Sequence, residues 1–387
     1  KMKAEGKEFK PIFGIEAYFI PSAKEWREEY DRVKAERKLK KGNTKGATVE
    51  DEEASKKAIK NMLNRRRHLI LLAQNQTGLN NLFKLVSESY KDDNYYRYPR
   101  MDYDLLARYS EGVIGASACL GGVYAGNYWE NHKEGSDAVL DAMRETTRRM
   151  VDIFGDRWYG ELQWNNIPQQ HDLNQYIIQM HKEFGIPLIS TADSHYPGPD
   201  AWKDRELYKR LGWLGKRPEY LTEELPEAED LKCELYPKNG DQMWESYHRY
   251  SKLQEVEYDD DLVMDSLTET HKIAFERIED FMPDNEVRLP DFVVPEGATA
   301  TQALARLSID ALRTLGLHTN DEYIERLKTE LYTIDDRGFS KYFLTMKAIV
   351  DRANKLMLTG PGRGSAAGSL VAYVLGSRAH EAEGSTD

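Results

Sequence analysis

The chain is poor in cysteine and has no long apolar run, and each shortage excludes a class of protein. It contains 2 cysteines, Cys119 and Cys233, among 387 residues, which is too few for a disulfide framework and is typical of a reducing cytosol. No apolar run approaches the ~18 residues that a membrane-spanning helix needs, and no signal peptide is visible. We therefore expect a cytoplasmic protein without a membrane partner.

Charge, by contrast, is abundant. Charged residues make up 31% of the chain and the mean hydropathy is -0.71, which together predict a soluble globular protein, long enough for two or more cores. The net charge of -12 argues against a surface that binds nucleic acid over its whole extent. Basic residues do cluster between Arg32 and Lys45 and at Arg65-Arg66-Arg67. A solvated helix and loop explains the first cluster best, and a nucleic-acid backbone contact is the alternative.

Short apolar runs alternate with amphipathic stretches over roughly the first 280 residues, which predicts strands separated by helices in an α/β layer or barrel. The predicted strands are Pro11–Ile20, His68–Ala73, Val113–Ala118, Trp158–Gln163 and Ile186–Thr191. A mainly helical segment follows, with predicted helices at Thr299–Leu315, Asp321–Asp335 and Lys347–Leu356.

Composition also predicts the domain organisation. A first domain over residues 1–283 carries a polar, charged insertion at about 24–67. Residues 284–298, with Pro290 and Pro295, form a predicted linker to a second domain over 299–376. The tail 377–387 is rich in glycine, serine and glutamate, and we expect it to be disordered.

The segment Gly360–Tyr373, GPGRGSAAGSLVAY, is the most informative part of the chain. Its glycines allow backbone amides to approach a ligand closely, and a helix that begins in such a loop presents N–H groups to an anion. The Arg363 guanidinium suits phosphate oxygens. No Gly-Lys-Ser/Thr follows, so the loop is not a P-loop, and its spacing does not fit the dinucleotide fingerprint. The pattern predicts a phosphate-binding loop; the alternative is a tight turn into a packed helix.

Five side chains able to bind metals lie at or just after predicted strands. Functional groups collect at the carboxyl ends of strands in α/β barrels, and carboxylate, imidazole and thiolate together suit Zn, Mn or Fe ions. Taken singly, each has a simpler explanation, because a lone His or Cys on an apolar strand is usually a packed core residue. The five are Glu16, His68, Cys119, Asp193 and His195.

Two sets of motifs resemble a single family. The stretch GPGRGSAAGSLVAY, after the lead-in ERL, EL, GF and YFL between Glu325 and Leu344, resembles the phosphate-binding segment in the palm of bacterial C-family replicative DNA polymerases, the DNA polymerase III alpha subunits. The stretches KPIFGIEAY, RHLILLA, SACLGG and IPLISTADSHY occur in the order found in the polymerase-and-histidinol-phosphatase (PHP) domain of that family. The resemblance runs from Lys10 to Gly376, apart from the charged insertion.

The resemblance implies a PHP-type α/β barrel-like domain, followed by a partial, mainly helical palm segment of the nucleotidyltransferase type. It implies template-directed DNA synthesis by Mg²⁺-dependent phosphoryl transfer from deoxynucleoside triphosphates. The implied partners are primer–template DNA, the sliding clamp, other replisome subunits and the remainder of the polymerase. The five metal-competent residues become ligands for Zn²⁺ or Mn²⁺ in the PHP site. The implied triphosphate-binding residues are Gly362, Arg363, Gly364, Ser365 and Ser369.

The chain also departs from the family pattern. The family has a His-x-His motif and an Asp-His-Gly motif upstream of the strand with Glu16, so we expect that the N-terminal end of the PHP domain is missing. Its catalytic aspartates, the Mg²⁺ ligands, lie beyond the glycine loop and outside this chain, so we expect the chain alone to be inactive in polymerisation. Two alternatives are a PHP-type metal-dependent phosphoesterase or 3′–5′ exonuclease, and a non-catalytic scaffold module.

Overall fold

The computed structural model describes residues 6, 9–42, 65–91, 94–212, 231–286, 288, 291–294, 296–360, 364 and 368–376, with side chains only to residue 36 in the first helix. The later part of the predicted insertion, the predicted tail 377–387, and Gly362, Arg363 and Ser365 of the glycine loop lie outside the described residues. The chain forms two compact units, Lys1–Pro283 and Asp284–Asp387.

A five-stranded sheet organises the first unit. Its strands are β1 (Gly14–Phe19), β2 (Arg67–Ala73), β5 (Val113–Ala116), β6 (Trp158–Gln163) and β7 (Leu188–Thr191), in the order β1-β2-β5-β6-β7. The short strands β3 (Tyr95–Tyr96) and β4 (Tyr98–Pro99) form a separate hairpin. β2 is antiparallel to both β1 and β5, whereas β5, β6 and β7 are parallel. The carboxyl ends of four strands and the start of β2 therefore share one edge.

Helices surround this sheet, which confirms the predicted α/β class. Within the described residues the sheet is open rather than closed into a barrel. The helix α6 shows how local sequence sets the ends, because it begins at a proline and ends at Gly185 in the left-handed conformation. The helices of this unit are α1 (Ala23–Gly42), α2 (Gln76–Ser89), α3 (Tyr103–Arg108), α4 (Val123–Asn131), α5 (Ser136–Phe154), α6 (Pro168–Phe184), α7 (Trp202–Gly212), α8 (Gly240–Leu253) and α9 (Asp260–Lys272), which continues as a π-helical turn (Ile273–Arg277).

The two faces of the sheet bury different side chains. Leu69, Leu71 and Ala73 alternate along β2 and enter the main core, which also contains side chains from α2 to α6. His68 and Ile70 lie on the opposite face. A smaller apolar cluster on that face includes Ile114, Tyr159, Ile189 and Ile273. The polar side chains at the shared edge lie on this second face.

The second unit is mainly helical, as the sequence predicts. It contains α10 (Ala300–Thr314), α11 (Asp321–Asp336), α12 (Ser340–Asn354) and the short α13 (Leu370–Val374). A separate core forms between these helices and includes Leu304, Leu327, Leu344 and Val371. Phe292 and Val294, in the segment predicted as a linker, pack against this core. None of the helices in the described part of the chain is long and apolar enough to cross a membrane.

Candidate functional site

Glu16, His68 and Cys119 form a contact group at the shared edge of the sheet. Glu16 pairs with Ile70 and Tyr18 pairs with His68 in the antiparallel β1–β2 register, so Glu16 and His68 are diagonal neighbours on one face. The Glu16 Oε1 atom lies 2.7 Å from His68 Nδ1. The Cys119 Sγ atom lies 3.6 Å from the same nitrogen. His68 is thus the centre of this group.

A tight loop after β5 brings Cys119 to His68. The backbone N–H of His68 donates to the carbonyl of Gly121 (2.9 Å), and that of Gly122 donates to the carbonyl of Cys119 (2.7 Å). A Cβ at Gly122 would lie 2.1 Å from the Ser117 carbonyl oxygen, so only glycine allows this close approach. The loop therefore returns to the start of β2 and carries the thiol with it.

Asp193 and His195 follow β7 at the same edge. The His195 Nδ1 atom donates to the backbone carbonyl of Asp193 (2.6 Å), and the His195 backbone N–H donates to the carbonyl of Leu235 (2.7 Å). Cys119, Asp193 and His195 line one cavity of about 230 Å³. Cys119 thus belongs to the contact group and to this cavity, and connects the two parts of the predicted ligand set.

Glu161, on β6, is a site residue that the sequence prediction missed. Its side chain is buried, and its carboxylate accepts hydrogen bonds from the Ala118 N–H (2.8 Å) and the Thr191 hydroxyl (2.9 Å). Burial raises the pKa of Glu161 to about 7, against the lowering effect of these two hydrogen bonds. The available signal in the sequence was an acidic residue inside the predicted strand Trp158–Gln163, because carboxylates are rarely buried without a partner.

Two residues beside this carboxylate adopt unusual backbone conformations. Ala118 has φ 60° and Asp193 has φ 48°, a left-handed region that costs an L-residue roughly 1–2 kcal/mol. The Ala118 N–H is bound by Glu161, and Asp193 lies two residues after Thr191, which Glu161 also binds. Such strain persists where the surroundings enforce it and is concentrated at functional sites.

The remaining side chains of the cavity come from segments far apart in sequence. They include Arg205, Cys233 and Lys238, none of which the sequence prediction assigned to the site. Burial raises the pKa of Cys233 and lowers that of Lys238. Burial, followed by the charge of Asp193, raises the pKa of Cys119 to about 12. Burial thus favours the neutral thiol form of both cysteines.

The predicted ligands do not form a metal-binding group as they are placed. Among the residues that the structure describes, no set of three or more His, Cys, Asp or Glu side chains is arranged to hold one ion. The Glu16 carboxylate and the His68 imidazole instead contact each other, and Nδ1 of His195 binds a backbone carbonyl. The residue types are those that Zn²⁺ and Mn²⁺ prefer, but their present geometry does not fit a metal ion.

The glycine loop is the second candidate site. Of the residues predicted to bind triphosphate, the described ones are Gly364 and Ser369. Gly364 has φ 74°, which favours glycine at this position. Ser369 caps α13, since its hydroxyl accepts from the Ala372 N–H (3.1 Å), and it also donates to Glu330 on α11 (2.9 Å). The contacts of Ser369 are thus internal to the chain, and its predicted role in triphosphate binding stays a prediction.

Two family models match the chain. The PHP domain model matches residues 1–165, a range that contains Glu16, His68, Cys119 and Glu161 and ends before Asp193. The model described as the bacterial DNA polymerase III alpha NTPase domain matches residues 301–379. This second range includes the whole glycine loop.

Similar proteins agree with these matches. The DNA polymerase III subunit alpha of Aquifex aeolicus is 34% identical over 385 residues, covering 97% of this chain and 29% of that protein. The protein of the same name from Borreliella burgdorferi is 30% identical, covering 95% of the chain and 27% of that protein. That of Thermus aquaticus is 28% identical, covering 80% of the chain and 28% of that protein. The chain thus spans less than a third of the length of these relatives.

Proposed function

Since the chain is homologous to the bacterial DNA polymerase III alpha subunits, we propose that it is part of a replicative DNA polymerase. The activity of that polymerase is template-directed DNA synthesis by phosphoryl transfer from deoxynucleoside triphosphates. The observation that carries this proposal is the family match over residues 301–379, which contains the entire glycine loop. In the proposed organisation, residues 1–283 are the PHP domain, 284–298 the linker and 299–376 the beginning of the palm.

The glycine loop binds the β and γ phosphates of the incoming nucleotide. Arg363 supplies a permanent charge with several donors, and the N–H groups and hydroxyl near Gly364 and Ser365 supply further hydrogen bonds. Gly362 and Ser369 complete the predicted set. Holding the triphosphate in line with the primer terminus and neutralising its charge is the main catalytic task in phosphoryl transfer. The base is selected by the template, because nothing in this loop reads base edges.

Other components of the reaction are supplied from outside residues 1–387. Mg²⁺ serves polymerisation through carboxylates that the family resemblance places beyond residue 387, so residues 1–387 by themselves are not expected to extend a primer. The proposed partners are primer–template DNA, the remainder of the polymerase, the sliding clamp and other replisome subunits. The proposed location is the cytoplasm, where these partners of a bacterial polymerase lie.

The test is the variant Arg363→Ala in the full-length polymerase. Charge-assisted hydrogen bonds contribute roughly 1.5–3 kcal/mol each, so the apparent KM for all four deoxynucleotides should rise about ten- to a hundredfold. Gly364→Val should be worse, because a β-branched side chain disfavours the left-handed φ of 74°. The control is Arg313→Ala, which removes an exposed arginine from α10. Unchanged nucleotide affinity and turnover in Arg363→Ala would show that the loop is a packing turn.

A second candidate activity belongs to the first unit. The strained residues Ala118 and Asp193 beside a cavity favour a metal-dependent phosphoesterase or 3′–5′ exonuclease over a purely structural PHP domain. The proposed ions are Zn²⁺ or Mn²⁺, which the five predicted ligands would hold only after their side chains rearrange from the present geometry. Binding should be weak, because the Glu16–His68 contact must first be broken.

Metal content after dialysis against Zn²⁺ or Mn²⁺ tests this second candidate. The double variant Asp193→Asn, His195→Ala should retain less metal than the unmodified chain, because it loses a carboxylate and an imidazole. His271→Ala, on α9 and outside the cavity, is the matched control and should retain the full amount. Equal metal content in all three proteins would exclude Asp193 and His195 as ligands and favour the non-catalytic scaffold.

A further inference from the structure

We propose that Glu330 is the positioning residue of the glycine loop: its carboxylate fixes the carboxyl-terminal end of the loop at 368–371, and with it the Ser369 hydroxyl. This inference rests on the proposed polymerase function. It assigns a role to a glutamate on α11. In the sequence, this glutamate precedes the segment that it contacts by about 40 residues.

Both carboxylate oxygens of Glu330 accept hydrogen bonds. Oε1 accepts from the Leu370 N–H (3.0 Å) and from Arg326 Nε (2.6 Å). Oε2 accepts from the Ser369 hydroxyl (2.9 Å) and from the Val371 N–H (3.0 Å). Each oxygen thus has two donors, and the side chain is only 13% exposed. Such charge-assisted bonds are short and directional, so they fix the orientation of the segment.

Arg326 adds a second connection between α11 and the loop. Its Nε binds Glu330, and its Nη2 donates to the Gly368 carbonyl (3.2 Å). Residues four apart on a helix lie on the same face, so Arg326 and Glu330 act from one side of α11. Together they hold a carbonyl at residue 368 and N–H groups at residues 370 and 371.

The two sides of the loop differ in their packing. After the loop, the α13 residues Val371 and Val374 are buried in the core of the second unit. Before the loop, Leu356, Met357 and Leu358 are exposed. The buried α13 side chains and Glu330 therefore anchor the carboxyl-terminal end of the loop, and Glu330 is the charged centre of those contacts.

The charge of Glu330 keeps phosphate away from the first N–H groups of α13. Glu330 already binds the Leu370 and Val371 N–H groups and places a negative charge beside them. A phosphate at that position would be repelled and would find no unpaired donor among these groups. The role of Glu330 is therefore to hold this end of the loop in place, with these two N–H groups bound to its carboxylate.

The experiment uses the full-length polymerase with Glu330→Gln. The amide keeps the size of the side chain. In the variant, however, its NH₂ group faces donors that bind a carboxylate oxygen in the wild type, so two donors oppose each other. We expect the KM for all four deoxynucleotides to rise roughly tenfold, because a small displacement of a binding group has large kinetic effects, while the Kd for primer–template DNA stays unchanged. Glu325→Gln is the matched control, since Glu325 lies on the same helix and is exposed in an ion pair with Lys328.

Two further variants keep the inference testable if Glu330→Gln does not fold. Arg326→Ala removes the contact with the Gly368 carbonyl from an exposed side chain, and Ser369→Ala removes one donor to Glu330. Each should raise the nucleotide KM by a smaller factor, about threefold, without changing the Kd for DNA. Purified variants are compared only after circular dichroism shows native helix content.

The outcomes separate this inference from the proposed function. If Arg363→Ala raises the nucleotide KM while the Glu330, Arg326 and Ser369 variants leave it unchanged, the positioning role is wrong and the triphosphate site stands. A lower KM in Glu330→Gln would also overturn it, because Glu330 would then compete with phosphate for the α13 N–H groups. If Arg363→Ala has no effect either, the triphosphate site itself is wrong.

Discussion

Glu161 shows how one residue holds several parts of the first site. Its carboxylate binds the backbone before Cys119 and the hydroxyl of Thr191, two residues before Asp193. Because the group is buried, the neutral form is favoured, and its pKa rises from 4.5 to about 7. The folded protein therefore binds this proton more tightly than the unfolded chain does.

The pH dependence of stability follows from that difference. Between pH 4.5 and about 7 the folded state retains the Glu161 proton that the unfolded state releases, so the contribution of Glu161 to stability falls as pH rises. The slope is at most about 1.4 kcal/mol per pH unit. Glu161→Gln abolishes this ionisation, so the free energy of unfolding of the variant, relative to wild type, should increase from pH 4.5 to pH 7.5. Urea denaturation of both proteins at both pH values measures this change. If the difference in the free energy of unfolding between variant and wild type were the same at both pH values, the raised pKa of Glu161 would be contradicted.

At the scale of elements, helix ends position the cavity wall. Asn239 caps α8 in a reciprocal capping box with Gln242. The segment just before this cap contributes Cys233, Leu235 and Lys238 to the cavity, and α8 contributes Met243. The cap therefore fixes where the chain leaves the cavity and enters the helix.

Removing this cap should destabilise the first unit. Asn239→Ala leaves helical N–H groups without their side-chain acceptor, so the free energy of unfolding should fall by about 1 kcal/mol. Trp244 lies on the same helix, so tryptophan fluorescence during urea denaturation can follow the change. Asn239→Asp retains an acceptor and should stay within about 0.5 kcal/mol of wild type. An equal loss in both variants would mean that the cap bond is not the cause.

Each of the two compact units has its own main core among the described residues, and the tryptophans report on the first of them. All 7 tryptophans precede residue 284, so their fluorescence follows the first unit. Leu69 is fully buried in the first core and Leu304 in the second. Large-to-small substitutions at such sites remove apolar contacts and leave a cavity.

We expect Leu69→Ala to lower the free energy of unfolding of the first unit by about 2–5 kcal/mol, measured by tryptophan fluorescence. Leu304→Ala should destabilise the second unit to a similar extent, measured by far-UV circular dichroism because that unit has no tryptophan. Leu253→Ala, at an exposed position on α8, is the control and should change stability by less than about 0.5 kcal/mol. A fluorescence midpoint unaltered by Leu69→Ala would be inconsistent with the described core.

The sequence alone determined the local elements and the resemblance to the polymerase family. The strand Trp158–Gln163 has the same bounds in prediction and structure, and α11 differs from its prediction by one residue, because apolar periodicity and capping residues act over short distances. The glycine loop was recognisable because GPGRGSAAGSLVAY is a long and specific run of residue types. The motifs at the strand ends identified the PHP resemblance because they occur in a specific order along the chain.

Only the tertiary structure decided how distant side chains meet. The reversed direction of β2 places His68, the second residue of that strand, at the carboxyl ends of the neighbouring strands. The partners of Glu161 lie 43 and 30 residues away, and those of Glu330 lie 39 to 41 residues away, apart from Arg326. The open sheet and the Glu16–His68 contact also depend on strand order and register. These features follow from long-range packing, which no local pattern of residues encodes.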